Sequence, residues 1–339
     1  MELYLATNYT KCSNQTSFLA TKEFITGGEH ILTVICVPLN FYCIYLIWFV
    51  TPQKMEGIKL AMLHLQLASL LFDLNMNSLV TGVAYLPAPA GSFHGLFSYI
   101  GIPHKFQLFL AEYNIFLIGM SVINVFQNRQ SITSSIPYRF NKTSSLVIYY
   151  TLCYLFGVIV ISLCYVENFD SDALKLEFLK LYPCPPPEYF ESTASAISNN
   201  IPLKEFSYGS GIIFILTNLF YFALSTVYYL VIAPSSSVSE KTRQMQLRFL
   251  LMLTIQIAIP ITCLVVPASF IVFMLITNLN SQTANNIFVL IYCSHGSLAG
   301  IALIFIQKPY RDYTLSICKK VKSKSRETSV VVIRPTIRS

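Results

Sequence analysis

Seven stretches of about twenty residues each are nearly free of charge, and polar segments separate them: Ile31–Val50, Leu60–Val83, Phe106–Phe126, Leu146–Val166, Tyr208–Ile232, Phe249–Leu275 and Ile287–Ile306. A hydrocarbon layer about 30 Å thick needs about 20 apolar residues at 1.5 Å rise each, so each stretch predicts one membrane-spanning helix. The backbone finds no water there and must bond to itself, which only a helix does within a single segment. Phe249 to Gln307 holds no Asp, Glu, Lys or Arg, and its polar run Thr277–Asn286 divides it into two spans. The pattern predicts an all-α membrane protein, a seven-helix bundle over 31–306. A polar segment precedes it at 1–30, and a basic tail follows at 307–339.

Composition agrees. The chain has 339 residues, 54% hydrophobic and 12% charged, about half the charge of an average soluble domain. Of the 23 Lys and Arg, 17 fall on one side of the seven spans and six on the other. The basic side faces the cytoplasm, so the N-terminus lies outside and the tail inside. The sequons at Asn8 and Asn14 then lie outside, where they can be glycosylated, while the one at Asn141 lies inside and stays bare. The first 25 residues contain no apolar core of a cleavable signal, so the first span serves as the targeting signal.

Polar residues within the spans carry the candidate chemistry. Gln66, Ser69, Asp73 and Asn77 are spaced 3, 4 and 4, one face of the second helix. An intramembrane carboxylate faces the protein interior. Asp73 is then either a hub that rearranges, with an ion or a proton, or part of a static network. The third span carries Asn114, Ser121, Asn124 and Asn128 on one face, and Glu112 on nearly the opposite side. Glu112 reads as a counter-ion for a cationic ligand or as an interfacial carboxylate near Lys105; the helical phase favours the latter. Arg129 closes this span, either as a cation that suits the helix dipole and lipid phosphates or as a latch that is released to contact an intracellular partner. Pro260 and Pro267 interrupt the sixth span, as a hinge or as static curvature. Gly296 and Gly300 form a GxxxG packing face beside His295.

Cys12 and Cys184 are the two cysteines on the oxidising outer side, and their pairing is expected; two free or intermolecular thiols are the alternative. Cys318 in the basic tail is a candidate palmitoylation site. There is no P-loop, HExxH, GxSxG or CxxC, and no pair of carboxylates within a span. No enzyme, cofactor, metal site or nucleic-acid surface is expected.

One set of residues is shared in order and spacing with a known family. It comprises Thr51-Pro52 with Met55, Leu71-Phe72-Asp73, Gly95, Tyr99–Pro103, Asn128-Arg129, Tyr182-Pro-Cys184, Glu240–Gln246, Ile259-Pro260, His295-Gly296 and Lys308–Arg311. The chain resembles the nematode serpentine receptors of class H, and the resemblance runs along nearly its whole length. It implies a rhodopsin-like bundle in the plasma membrane of sensory cilia. Such a receptor binds a small molecule and signals through a heterotrimeric G protein, with Asn128 and Arg129 at the coupling end. Gln127 departs from the acid that members often carry before Asn-Arg, which puts an acid–arginine latch in doubt. The absence of a cysteine atop the third span strengthens the pairing of Cys12 with Cys184. A membrane transporter or ligand-gated channel is the alternative, although no inverted repeat supports it.

Overall fold

A computed structural model describes residues 4, 8–9, 12, 17–132, 140, 142–197, 201–233, 239–277 and 279–331. Among the described residues, six helices are long and apolar enough to cross a membrane: Lys22–Val50, Glu56–Val80, His104–Ser131, Thr143–Tyr165, Pro202–Ile232 and Glu240–Phe270. A seventh span is a bent pair, Gln282–Cys293 and His295–Ile306, angled by 40°. We label the helices α1 (Lys22–Val50), α2 (Glu56–Val80), α3 (His104–Ile132), α4 (Thr143–Ser162), α5 (Ser171–Leu181), α6 (Ile201–Val227), α7 (Glu240–Thr277), α8 (Gln282–Cys293), α9 (His295–Ile306) and α10 (Lys308–Val331).

Most helices run past the apolar windows. α1 begins at Lys22 rather than Ile31, where Thr21 caps it by accepting the Phe24 N–H. α7 begins at Glu240 rather than Phe249. The apolar windows mark what hydrocarbon requires, whereas the helices continue into the aqueous layers on either side. α1 ends where Pro52 cannot continue it. Its last turn, like that of α2 (Asn75–Val80), is a π-turn. α7 runs unbroken through Pro260 and Pro267, so the structure contains no break at either proline.

The outer end is not all-α. Strands β1 (Gly82–Ala84), β2 (Ala90–Phe93) and β3 (Ala194–Ala196) form an antiparallel sheet in the order β1-β2-β3, with Val83 opposite Ser92 and Gly91 opposite Ser195. The segment after α4, expected as a loop, folds as α5 and β3. Asp170 caps α5 by accepting from the Asp172 and Ala173 amides. Lys175 of α5 is buried and donates to the Ala194 carbonyl at 2.9 Å. Ile25, Tyr85, Phe178, Leu179 and Tyr189 fill a second apolar core between this cap and the outer ends of α1 and α8. Gly95 follows β2, where the chain crosses the end of α2. A Cβ there would sit 2.3 Å from the Leu79 carbonyl oxygen, so only glycine fits.

The main core lies deeper, between α1, α2, α3, α6 and α7, around Ile47, Phe116, Met120, Phe126, Phe222 and Leu253. Many outward side chains are large and apolar and remain exposed, such as Val34, Ile148, Leu152, Ile213 and Leu251. That is the surface expected of helices solvated by lipid. α10 attaches at the inner end: Tyr310 is buried and bonds Thr51 at 2.8 Å, Thr314 bonds Tyr42, and Tyr313 bonds Tyr45.

Candidate functional site

The polar face of α2 meets α1 and the bend between α8 and α9. Asp73 is fully buried. Asn40 of α1 donates to Asp73 Oδ2 at 2.7 Å and to the Cys36 carbonyl at 2.8 Å. Gln66 donates to Asn40 Oδ1. His295, the first residue of α9, places Nδ1 at 3.8 Å from Asp73 Oδ1, beyond hydrogen-bond distance. Asn77 donates to the Cys293 carbonyl at 3.4 Å, the last residue of α8. The carboxylate itself sits against Gly296, where an added Cβ would lie 2.1 Å from Asp73 Oδ2. Glycine is therefore required beside the bend. Asp73, Asn40 and Gln66 form one hydrogen-bonded network; His295 packs beside it, Ser69 is buried next to it, and Asn77 bonds the neighbouring Cys293 carbonyl.

A cavity of about 30 Å3 adjoins this network. Gln66, Ser69, Ile118, Ile257, Leu264 and His295 line it, so α2, α3, α7 and α9 all contribute. The volume suits about two waters, far less than a drug-sized ligand needs. Gln307, just after α9, donates to Gln256 of α7 at 3.1 Å. The bent seventh span is thus tied to α2 on one side and to α7 on the other.

Glu112 packs between α3 and α6. It pairs with Lys204 of α6 at 3.0 Å, with side-chain exposures of 13% and 9%. Tyr208 donates to Glu112, and Lys204 also donates to Tyr208 at 3.0 Å and Tyr165 at 3.5 Å. Lys105 instead donates to the Glu167 carbonyl and to Asn168. The helical phase placed Glu112 opposite the Asn stripe correctly, but that face packs on α6. Asn124, on the stripe, contacts His64 of α2 at 3.2 Å.

At the inner end of α3, the Arg129 guanidinium lies over the Phe249 ring of α7. Gln127 is buried and donates to Ser131 at 2.6 Å. At the outer end a disulfide joins Cys12 and Cys184. Lys22 pairs with Glu191 at 3.0 Å nearby. Burial alone would raise the Glu191 carboxyl, but the hydrogen bond and charge of Lys22 together with Thr193 hold it below the usual value. Asn8 is exposed, Asn14 lies outside the described residues, and Cys318 is exposed on α10. Among the described residues no cluster of His, Cys, Asp or Glu could hold a metal ion.

Glu29, Asn40 and Lys204 escaped the sequence reading. Glu29 and Asn40 are both fully buried. The signal was present: Glu29, Cys36, Asn40 and Cys43 recur at helical spacing, a second inward stripe. An apolar window that opens at Ile31 leaves its first member out. Lys204 preceded its window in the same way.

The fold matches a solved structure. Squid rhodopsin superposes with a TM-score of 0.60 over 93% of this chain and 89% of that one, at 10% sequence identity. A curated relative, serpentine receptor class H-72 of Caenorhabditis elegans, is 25% identical over 341 residues, covering 99% of this chain and 96% of the relative. The family description "serpentine type 7TM GPCR chemoreceptor Srh" matches residues 20–320. With nearly the whole chain inside that match and the bundle arranged as in a rhodopsin, the protein belongs to the Srh family of serpentine seven-transmembrane chemoreceptors.

Proposed function

We propose that this receptor detects a small, largely apolar molecule from its outer side and activates a heterotrimeric G protein at its inner end. The observation that carries the reading is the network around Asp73. It joins α1 to α2 and lies against the bent α8–α9 pair, while α7 borders the same cavity through Gln256, which Gln307 bonds separately. A ligand that binds one arrangement of these helices more tightly than another shifts their population by that difference in affinity. The inner ends of α3 and α7, with Asn128, Arg129 and the segment Glu240–Arg248, are the proposed contact for the G protein. Pro260 and Pro267 remain the proposed points about which α7 bends. The family suggests placement in the plasma membrane of sensory cilia. Signalling requires binding and rearrangement but no chemistry on the ligand, so the proposed role is that of a receptor and not an enzyme.

A chemical panel applied to cells expressing the full chain, read by calcium or cyclic nucleotide, tests this reading. A response that requires the co-expressed G protein supports it. A ligand-evoked current or uptake that persists without any G protein favours the channel or transporter reading instead.

A further inference from the structure

Glu29 of α1, two residues before the apolar window opens, is 0% exposed and carries an ionisable carboxyl. Its surroundings do not neutralise it. Cys293 Sγ approaches Glu29 Oε1 at 4.0 Å, and the Gly82 backbone amide faces the carboxylate. Oε2 has no hydrogen-bond partner among the described residues. An unpaired buried carboxylate costs several kcal/mol unless a proton or a cation joins it.

Two more oxygens in the same neighbourhood share this condition. Asn77 Oδ1 and Thr81 Oγ1 are buried and have no partner among the described residues. Thr33 ties the group together, since its hydroxyl bonds the Glu29 carbonyl at 3.1 Å and the Asn77 carbonyl at 3.0 Å. Asn77 in turn donates to the carbonyl of Cys293, whose thiol meets Glu29. The backbone is also unusual here. The last turn of α2 is a π-turn, and Thr81 after it has φ +43°. Among the described residues it is the one non-glycine residue with positive φ. A β-branched residue in that region is strained, and such strain gathers at functional positions.

We propose that Glu29, Asn77 and Thr81 form a binding site for a sodium-like monovalent cation between α1, the outer end of α2 and α8. The donors are a carboxylate, an amide carbonyl and a hydroxyl, the hard oxygen set that suits alkali and alkaline-earth ions. One carboxylate balances one positive charge, whereas a divalent ion would leave a net charge buried. Asp73 is not counted in this group: its Oδ2 accepts from Asn40, and its other oxygen, unpartnered among the described residues, faces His295 at 3.8 Å. A proton on Oε2 would offer one O–H, enough for one of the other two oxygens; a cation takes all three. The cation would also link β1 and the outer cap, through Thr81 and Gly82, to the start of α1 and the end of α8.

The full-length receptor in detergent, unfolded thermally in sodium chloride and in choline chloride at equal ionic strength, tests the site. Sodium is expected to raise the wild-type Tm by about 3 °C at concentrations well above its Kd. Glu29→Gln should abolish the difference, and Asp73→Asn should retain it. No sodium-specific difference in the wild type overturns the proposal. A difference that persists in Glu29→Gln, or that is lost in Asp73→Asn, overturns it as well. If Glu29→Gln fails to fold, Thr81→Val decides: a sodium midpoint raised several-fold supports the site, and an unchanged midpoint overturns it.

Discussion

The Arg129 guanidinium lies 3.7 Å from the centroid of the Phe249 ring, which ties the inner end of α3 to the inner end of α7. A cation–π contact of this kind contributes about 0.5–2 kcal/mol, more where water is excluded. We propose that this contact acts as a latch between the two helices, released when the inner end of α3 meets the G protein. Arg129→Ala should then remove coupling: evoked G-protein signalling falls at least roughly tenfold at matched surface expression, the effect of losing about 1.4 kcal/mol of binding. Arg129→Lys should retain part of it. Normal evoked signalling in Arg129→Ala would exclude this arginine from the coupling surface.

The buried pair of Glu112 and Lys204 should behave as a unit. Removing one partner from a buried pair leaves an uncompensated charge and costs about 3–5 kcal/mol. Lys204→Met is therefore expected to lower the Tm of the purified receptor strongly. The double variant Glu112→Gln with Lys204→Met should recover much of that loss. Additive single and double effects would contradict a direct pairing.

Gly296 admits the Asp73 carboxylate, and Gly209 has open space around its Cβ position. Gly296→Ala overpacks the bend and is expected to cost about 1–3 kcal/mol, seen as reduced surface expression and a lower Tm. Gly209→Ala should change neither. Equal behaviour of the two variants would mean that the close approach at the bend is not needed.

The disulfide between Cys12 and Cys184 closes a separation of 172 residues and ties the N-terminal segment to the cap. A crosslink across so long a loop contributes about 2–5 kcal/mol. Cys12→Ser and Cys184→Ser should each lower Tm by the same amount, and the double variant by no more than either. Non-reducing peptide mapping that finds both thiols free would refute the bond.

His94 follows β2, and its ring bonds Ser92 at 2.8 Å. Burial, and then the charge of Lys22, hold its imidazole below the ordinary 6.5. Glu191 opposes this shift and His104 adds to it. A group whose folded value is depressed is protonated more readily once the cap opens. The cap therefore keeps its full stability above about pH 6.5 and loses some as the pH falls from there towards the folded value. Hydrogen exchange of the 82–94 segment should accelerate from pH 7.5 to 5.5 after correction for intrinsic rates, and His94→Gln should flatten the change.

The bundle and its inward faces were legible because hydrocarbon and helical periodicity leave strong marks. The stripe from Gln66 to Asn77 marks an inward face by its spacing alone. The sheet was not legible. Its strands are three or four residues of Gly, Ala, Val, Ser and Phe, a composition that reads as turn and that pairs only because the cap brings Ala194 to Ser92. The partner of Glu112 was hidden for a different reason. Helical phase tells which side of α3 the acid occupies, but not which helix lies there, and Lys204 is 92 residues away. The early start of α1 at Lys22 was missed because an apolar window cannot register Glu29, whose burial depends on its neighbours on α2 and α8.

The central claim, transmission to a G protein at the inner end, can be tested without knowing the ligand. Membranes containing the wild type or Phe249→Ala are assayed for nucleotide exchange on a purified heterotrimeric G protein. Loss of the Phe249 contact should raise ligand-free exchange roughly 2- to 30-fold over wild type at equal receptor density, the range set by the cation–π energy. Exchange that stays at the receptor-free background for both proteins, across the G-protein classes tested, would contradict the account.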